Sequence, residues 1–480
     1  MSSEESGLSA VTGAAAGAAV EAVQQVKAVA GSVASDVAAG RWRRAGLVGL
    51  SLGVVAAGAA AGVAVERLTI GRDMRRRAGA EVEAAAPFGS LRGRPRTVAA
   101  PDGTELYVEL DGSGWQDAPQ TPPAAGAAGS SVDAGSSAPR KGWLGRFRPG
   151  GGTASGGPLG GVLSGVGSML GMVPTPPLTV VFCHGYCLNQ DCWHFQRAAF
   201  REGLRLVFWD QRSHGRSERS RSHLAGEPAS IDQLGGDLKA VIDAVAPTGP
   251  LVLVGHSMGG MTVMALADQH PELFRERVAA VALLGTTAGS WSGVTLGLPA
   301  YGARMLHRVA PGVLKALGRQ RDLVERSRRL GSDLTSVVYR KFSFGREDVD
   351  PAVERFAQRL LEATPIDVVA EFFPAFDLHE KTAALAAFRD IPTLVMGGDK
   401  DLLTPPRHSQ AIAAELPDAE LIIVPDAGHL LMLELPDLVN TQLALLLEQA
   451  ARGSGAPLPQ PVRDLALGTA PAVAVDESLT

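Results

Sequence analysis

Beyond Leu178 the chain switches repeatedly between short unbroken apolar runs and longer stretches whose apolar residues recur at helical spacing. The runs at Thr179 to Cys183, Leu206 to Trp209, Leu251 to Val254, Val278 to Leu284, Thr393 to Met396 and Glu420 to Val424 predict strands. Helical patterns fill most of the gaps between them. Such alternation predicts an α/β chain with a mainly parallel sheet and helices on both faces. Upstream, R-T-V-A-A and the alternating T-E-L-Y-V-E-L flank a Pro101-Asp102-Gly103 turn and predict an antiparallel hairpin. From about Thr287 to Phe388 the alternation is interrupted by amphipathic, Arg-rich segments. They predict a helical cap inserted over the strand ends. The predicted core is therefore 94–111 with 178–286, resumed at 389–451 after a cap at 287–388.

Outside this core the pattern is different. Residues 1–44 are rich in Ala, Gly, Val and Ser and carry few charges, the signature of a low-complexity segment without a core of its own. Ala45 to Val65 is an uncharged run bracketed by Arg41, Arg43 and Arg44 before it and Arg67, Arg72, Arg75, Arg76 and Arg77 after it. Its length predicts an N-terminal transmembrane helix. Gly49 and Gly53, and again Gly58 and Gly62, stand four apart and would put small residues on one face, favouring a helix-mediated dimer. The slight cationic excess on the C-terminal flank predicts a membrane-anchored protein whose main domain is cytoplasmic. The alternatives are a soluble cytoplasmic protein with an Ala/Gly helix, or a cleaved leader ending near Ala57-Gly58-Ala59. Residues 112–177 are dominated by Gly, Ser, Pro and Ala and read as a disordered insertion, with Lys141 to Arg148 and Pro158 to Met172 as solvated linker or membrane-surface segments. The Pro/Ala/Gly-rich stretch 452–480 reads as a disordered tail.

Composition narrows the function classes. A formal charge of −5, with no basic stretch interleaved with aromatics, argues against a nucleic-acid partner. Cys183, Cys187 and Cys192 crowd into one short segment, one of them in a predicted strand, and read as reduced thiols. With His184 and His194 they still lack a fourth ligand at a familiar metal spacing.

The chemistry centres on Ser257, in G-H-S-M-G directly after the apolar run L-V-L-V. Small residues flank a serine in this pattern because it sits on a strained strand-to-helix turn that pushes its hydroxyl outward. A serine nucleophile needs a base, an acid to orient the base, and donors for an oxyanion. His429, in P-D-A-G-H after the last strand, is the predicted base. G-D-K-D-L-L-T-P after the preceding strand offers Asp399 and Asp401 as the acid. The backbone amides of Met258, next to the serine, and of Tyr186, in the His184-Gly185-Tyr186 loop, are the predicted oxyanion donors. His184 reads as a structural hydrogen-bonding residue beneath that loop.

C-H-G-Y at Cys183, W-D-Q-R-S-H-G-R-S from Trp209, G-H-S-M-G at Gly255, G-D-K-D-L-L-T-P at Gly398 and D-A-G-H at Asp426 occur in an order that resembles the α/β-hydrolase superfamily. The resemblance runs from about Arg96 to Ala450, apart from the insertion and the cap. It implies a triad of Ser257, Asp401 and His429, since the family's acid sits three residues after the glycine and four before the proline. It also implies that Asp210, Arg212 and His214 pin a loop beside the site. A serine at the elbow argues against the members that use aspartate there. The expectation is a serine esterase acting on a small-molecule acyl ester, a lipophilic one if F-F-P-A-F from Phe372 to Phe376 lines the pocket, with no cofactor or metal. Acyl transfer, thioester hydrolysis, cofactor-free perhydrolysis and a membrane-tethered, non-catalytic binding role are the alternatives.

Overall fold

The computed structural model describes residues 88–115, 176–289 and 332–468. Eight strands form one sheet in the order β1-β2-β4-β3-β5-β6-β7-β8. They are β1 Arg94–Ala99, β2 Glu105–Gly112, β3 Thr179–Cys183, β4 Arg205–Trp209, β5 Leu251–His256, β6 Val278–Leu284, β7 Thr393–Gly398 and β8 Glu420–Val424. The hairpin β1-β2 pairs Ala99 with Glu105 across the predicted turn, and β2 runs antiparallel to β4. From β4 to β8 every pairing is parallel. Strands β3, β5 and β7 are buried along their whole lengths, which explains why they read as unbroken apolar runs rather than as alternation.

The helices are α1 His194–Phe200, α2 Arg221–Leu224, α3 Ile231–Val245, α4 Met258–Gln269, α5 Pro271–Glu276, α6 Ser332–Ser343, α7 Pro351–Ala363, α8 Ile366–Asp377, α9 Pro406–Glu415, α10 Leu431–Glu434, α11 Pro436–Ser454 and α12 Gln460–Ala466. Stacked Phe182 and Phe208, with ring centres 4.8 Å apart, fill one face of the sheet together with Trp193. On α3, Ser230 caps the first turn by accepting from the Gln233 amide. Its apolar stripe, Leu234, Leu238, Val241 and Ile242, is buried.

Strand β3 lies between β4 and β5, so the chain winds outward to one side after β3 and to the other after β5. That reversal opens a crevice at the carboxyl ends of β3 and β5, the place where open α/β sheets take ligands. Cys183 and Gly255 are register partners there, which brings the loop after β3 beside the turn after β5.

Two boundary expectations need correction. The tail reading from 452 fails over the described part. Helix α11 runs on to Ser454, Gly455 ends it at φ 69°, and α12 follows, with Ala456, Leu458 and Val462 buried in the main core. Composition misled because a few apolar residues at helical spacing suffice to dock a short helix. The fold also begins before Arg94, since Phe88 packs against Phe195 and Phe356. Among the described residues no helix is long and apolar enough to cross a membrane. The Ala45 to Val65 segment, most of the 112–177 insertion, and 290–331 of the expected cap lie outside the described residues.

Candidate active site

Strand β5 ends at His256 and α4 begins at Met258, leaving Ser257 between them at φ 53° and ψ −119°. A side chain at positive φ is strained and persists only where the surroundings hold it. Here the hold is almost entirely backbone. The Ser257 amide donates to Leu284 O at 2.9 Å, and its carbonyl accepts from the Gly260 and Met261 amides at 2.9 and 3.2 Å. Among the described residues the one side chain that joins is Thr286, whose hydroxyl donates to the same carbonyl at 2.7 Å. Glycine at 259 is required by space, because a Cβ there would stand 2.0 Å from Cys183 O.

His429 follows β8 and is buried. Its Nδ1–H donates to Asp401 Oδ2 at 2.7 Å. Asp401, in the loop after β7, is buried as well and accepts the Leu403 and Thr404 amides on Oδ1 at 2.8 and 2.9 Å and the Thr404 hydroxyl on Oδ2 at 2.8 Å. Burial alone would raise its pKa. The charge and hydrogen bond of His429 and the Thr404 bonds outweigh burial and hold the carboxyl below the usual range. Asp399 is exposed, so of the two predicted acids the structure brings Asp401 to the histidine. With Nδ1 committed to Asp401, Nε2 is the nitrogen left to exchange a proton with a substrate-side group.

The backbone of His429 is held by a residue that sequence reasoning passed over. His256, just before the serine, donates from Nε2 to His429 O at 2.9 Å, with the two rings 4.8 Å apart. Its Nδ1 is buried with no partner among the described residues. Burial, then the neighbouring His429, pushes its pKa down to about 3 and keeps it neutral. No pattern marks such a role, because the variable position in the elbow accepts many side chains.

The loop after β3 lies over the elbow: a Cβ on Gly185 would stand 3.1 Å from the Ser257 Cβ. That places the Tyr186 segment beside Met258, whose amide, as the first of α4, has no intrahelical acceptor. His184 accepts the Gln211 amide on Nε2 at 2.9 Å and donates from Nδ1 to Gly185 O at 2.8 Å. Burial, then His214, pushes its pKa down to about 3. It braces the loop as a neutral ring. The loop after β4 is pinned too. Asp210 accepts the Gln190 and Arg216 amides at 2.8 Å each, and Arg212 forks onto Asp237 with two bonds of 2.6 Å. His214 donates from Nδ1 to Arg212 O at 3.0 Å, and its ring meets the Phe372 ring edge-on.

Helix α8 closes over these loops. The Tyr186 hydroxyl donates to Val369 O, and its ring meets Phe376 edge-on at 5.0 Å. Phe372 and Phe376 are buried against Ile231, Leu234, Met258 and Met261, so they pack α8 onto the core rather than line an open pocket. An ion cluster flanks this contact: Arg219 reaches Asp367 at 2.7 Å and Glu371 at 2.8 Å, and Ser213 donates to Glu371 at 3.1 Å. The sequence carried no signal for these pairs, since loop and helix lie far apart along the chain.

Residues 179–436 match the family described as alpha/beta hydrolase fold. The chain belongs to that family, a hydrolase family whose eight-stranded, mostly parallel sheet it shares. It is 27% identical to the sn-1-specific diacylglycerol lipase ABHD11 of Mus musculus over 52% of this chain and 74% of that one. It is 28% identical to a monoacylglycerol lipase of Mycolicibacterium smegmatis over 53% of this chain and 81% of that one. A non-heme haloperoxidase of Rhodococcus erythropolis is 28% identical over 56% of this chain and 92% of its own. Among solved structures, a thermophilic esterase from Thermogutta terrifontis is 20% identical and covers 74% of this chain and 98% of its own, with a TM-score of 0.47.

Proposed function

We propose that the protein hydrolyses carboxylic esters of small molecules through an acyl-enzyme on Ser257. The observation that carries this reading is the buried Asp401–His429 pair, held by its own loops at the strand-end edge where Ser257 is presented at positive φ. In the mechanism His429 Nε2 takes the Ser257 hydroxyl proton as the oxygen attacks the acyl carbonyl. Asp401 keeps Nδ1 protonated and stabilises the imidazolium. The amides of Met258 and Tyr186 receive the oxyanion, and His429 then returns the proton to the leaving alcohol. Water attacks the acyl-enzyme with His429 again as base. Helices α6, α7 and α8 act as the cap in this reading, and the lipase activities named for two relatives favour a lipophilic acyl group. Labelling by a fluorophosphonate probe tests the nucleophile: wild type is expected to label, Ser257→Ala not at all, and equal labelling of the two removes Ser257. A panel of p-nitrophenyl esters from acetyl to long-chain acyl then ranks the acyl preference.

A further inference from the structure

The loop carrying His429, between Val424 and Leu430, is gripped from two sides. On one side, Asp399 N donates to Val424 O and Lys400 N to Ala427 O, each at 3.0 Å, which fixes it to the loop of the acid. On the other it presses against the segment that ends α6. Leu430 N donates to Ser343 O at 2.9 Å, and the two backbones are so close that a Cβ on Gly345 would stand 2.5 Å from Asp426 O. Glu434, at the end of α10, spans this seam. Its Oε2 accepts the Gly428 amide at 2.7 Å, and its Oε1 accepts the Gly345 and Arg346 amides at 2.9 and 2.7 Å. The side chain is only 9% exposed. A buried carboxylate with three amide donors is a strong and directional tie. One of those amides belongs to the residue immediately before His429, and the other two to the junction between α6 and α7.

We propose that Glu434 is a positioning residue for His429. It fixes the peptide entering the histidine and couples the imidazole to the α6–α7 junction, so that the base is aligned only when that junction is docked. The proposal rests on the reading of His429 as the base. It accounts for a buried carboxylate that no step of the mechanism uses.

Glu434→Gln, made in the full chain, keeps the shape and turns one acceptor oxygen into a donor. Either the Gly428 amide or the Gly345 and Arg346 pair then faces an N–H. A misplacement of the imidazole by a fraction of an ångström is expected to lower kcat for p-nitrophenyl butyrate by about 10- to 100-fold, with KM held within about twofold. The downfield proton resonance of His429 Nδ1–H, identified by its loss in Asp401→Asn, is expected to shift or broaden in Glu434→Gln. A merely structural carboxylate would lower the melting temperature and leave kcat and the resonance alone, and that result overturns the proposal. Gly345→Ala attacks the same seam from the other side with Glu434 intact and is expected to reproduce the loss of kcat. If Glu434→Gln does not fold, full kcat in folded Gly345→Ala overturns the coupling. If wild type neither turns over nor labels at Ser257, the esterase reading falls, while the resonance still decides whether Glu434 holds His429.

Discussion

Ser257 and His429 stand at the same edge of one sheet, and the chain holds them by opposite means. The serine is held by backbone: strand-to-strand and helix-entry amides, with Thr286, among the described residues, the one side chain bonded to its carbonyl. The histidine itself is held by side chains, with Asp401 and Thr404 at its ring, His256 at its carbonyl and Glu434 at the amide before it, while backbone bonds fasten only the loop residues that flank it. A turn built by close backbone approach tolerates almost any polarity but no added volume. A loop built by buried acceptors tolerates small changes of volume but not the loss of a charge or lone pair, because each orphaned donor carries a desolvation cost. The two halves therefore fail differently when altered.

The largest effect belongs to the side-chain half. Asp401→Asn keeps an oxygen for the Leu403 and Thr404 amides but removes the charge that faces the ring and presents an N–H to Nδ1. In the proposed mechanism kcat should fall by on the order of 10⁴-fold, about 5 kcal/mol of barrier, from the wrong tautomer and the loss of imidazolium stabilisation. The urea midpoint should fall as well, by the smaller free energy of about 1 to 3 kcal/mol expected when the acceptor shared by Thr404 and His429 is lost. Steady-state kinetics with a parallel urea melt checks both, and a loss below about tenfold would break the assignment of Asp401 as the acid.

The backbone half should show the reverse. In Gly259→Ala the new methyl meets Cys183 O at 2.0 Å, and neither strand end nor helix can retreat without opening the switch-point crevice. A destabilisation of about 3 kcal/mol is expected, read as a lowered urea midpoint at unchanged m-value. A variant as stable as wild type would show that the elbow has slack and that the contrast between the halves is false.

The same contrast explains what could be read along the chain. The elbow is one continuous segment, so its apolar run and its glycines announce it. Strands Thr179–Cys183 and Val278–Leu284 fall where the apolar runs put them, because a strand buried on both faces has no other way to be written, and the edge strand Glu420–Val424 falls on its run too although only Val424 in it is buried. Asp401 and His429 follow strand ends, where a crevice-facing side chain has to be. What holds them was not legible. Thr404, His256 and Glu434 act on partners that are close only after folding, and neither spacing nor periodicity encodes such a pairing. The packing of Phe372 and Phe376 onto Met258 was hidden for the same reason, since an aromatic run reads alike whether it lines a cavity or fills a seam.

His256 joins the two halves, and its titration measures that joint. The folded chain keeps its ring neutral down to about pH 3, whereas an unfolded chain protonates it near pH 6.5. Between about pH 6 and 4 the unfolded state therefore binds more protons at this site, so the folded state loses stability as the solution is acidified. One such histidine contributes a slope of about 1.4 kcal/mol per pH unit in that window. The buried His184 and His214, pushed down to about 3 and about 4, add slopes of the same sign, and Asp210, raised to about 6 by burial, opposes them because its folded form is the one that holds the extra proton. His256→Gln can keep a donor toward His429 O while removing the titration. It should flatten the dependence of unfolding free energy on pH by about one histidine's slope between pH 6 and 4, measured by urea melts at half-unit steps. An unchanged slope would mean that the ring is charged or solvated in the folded chain, and the tie between the elbow and the base loop would then have to run through something other than a neutral imidazole.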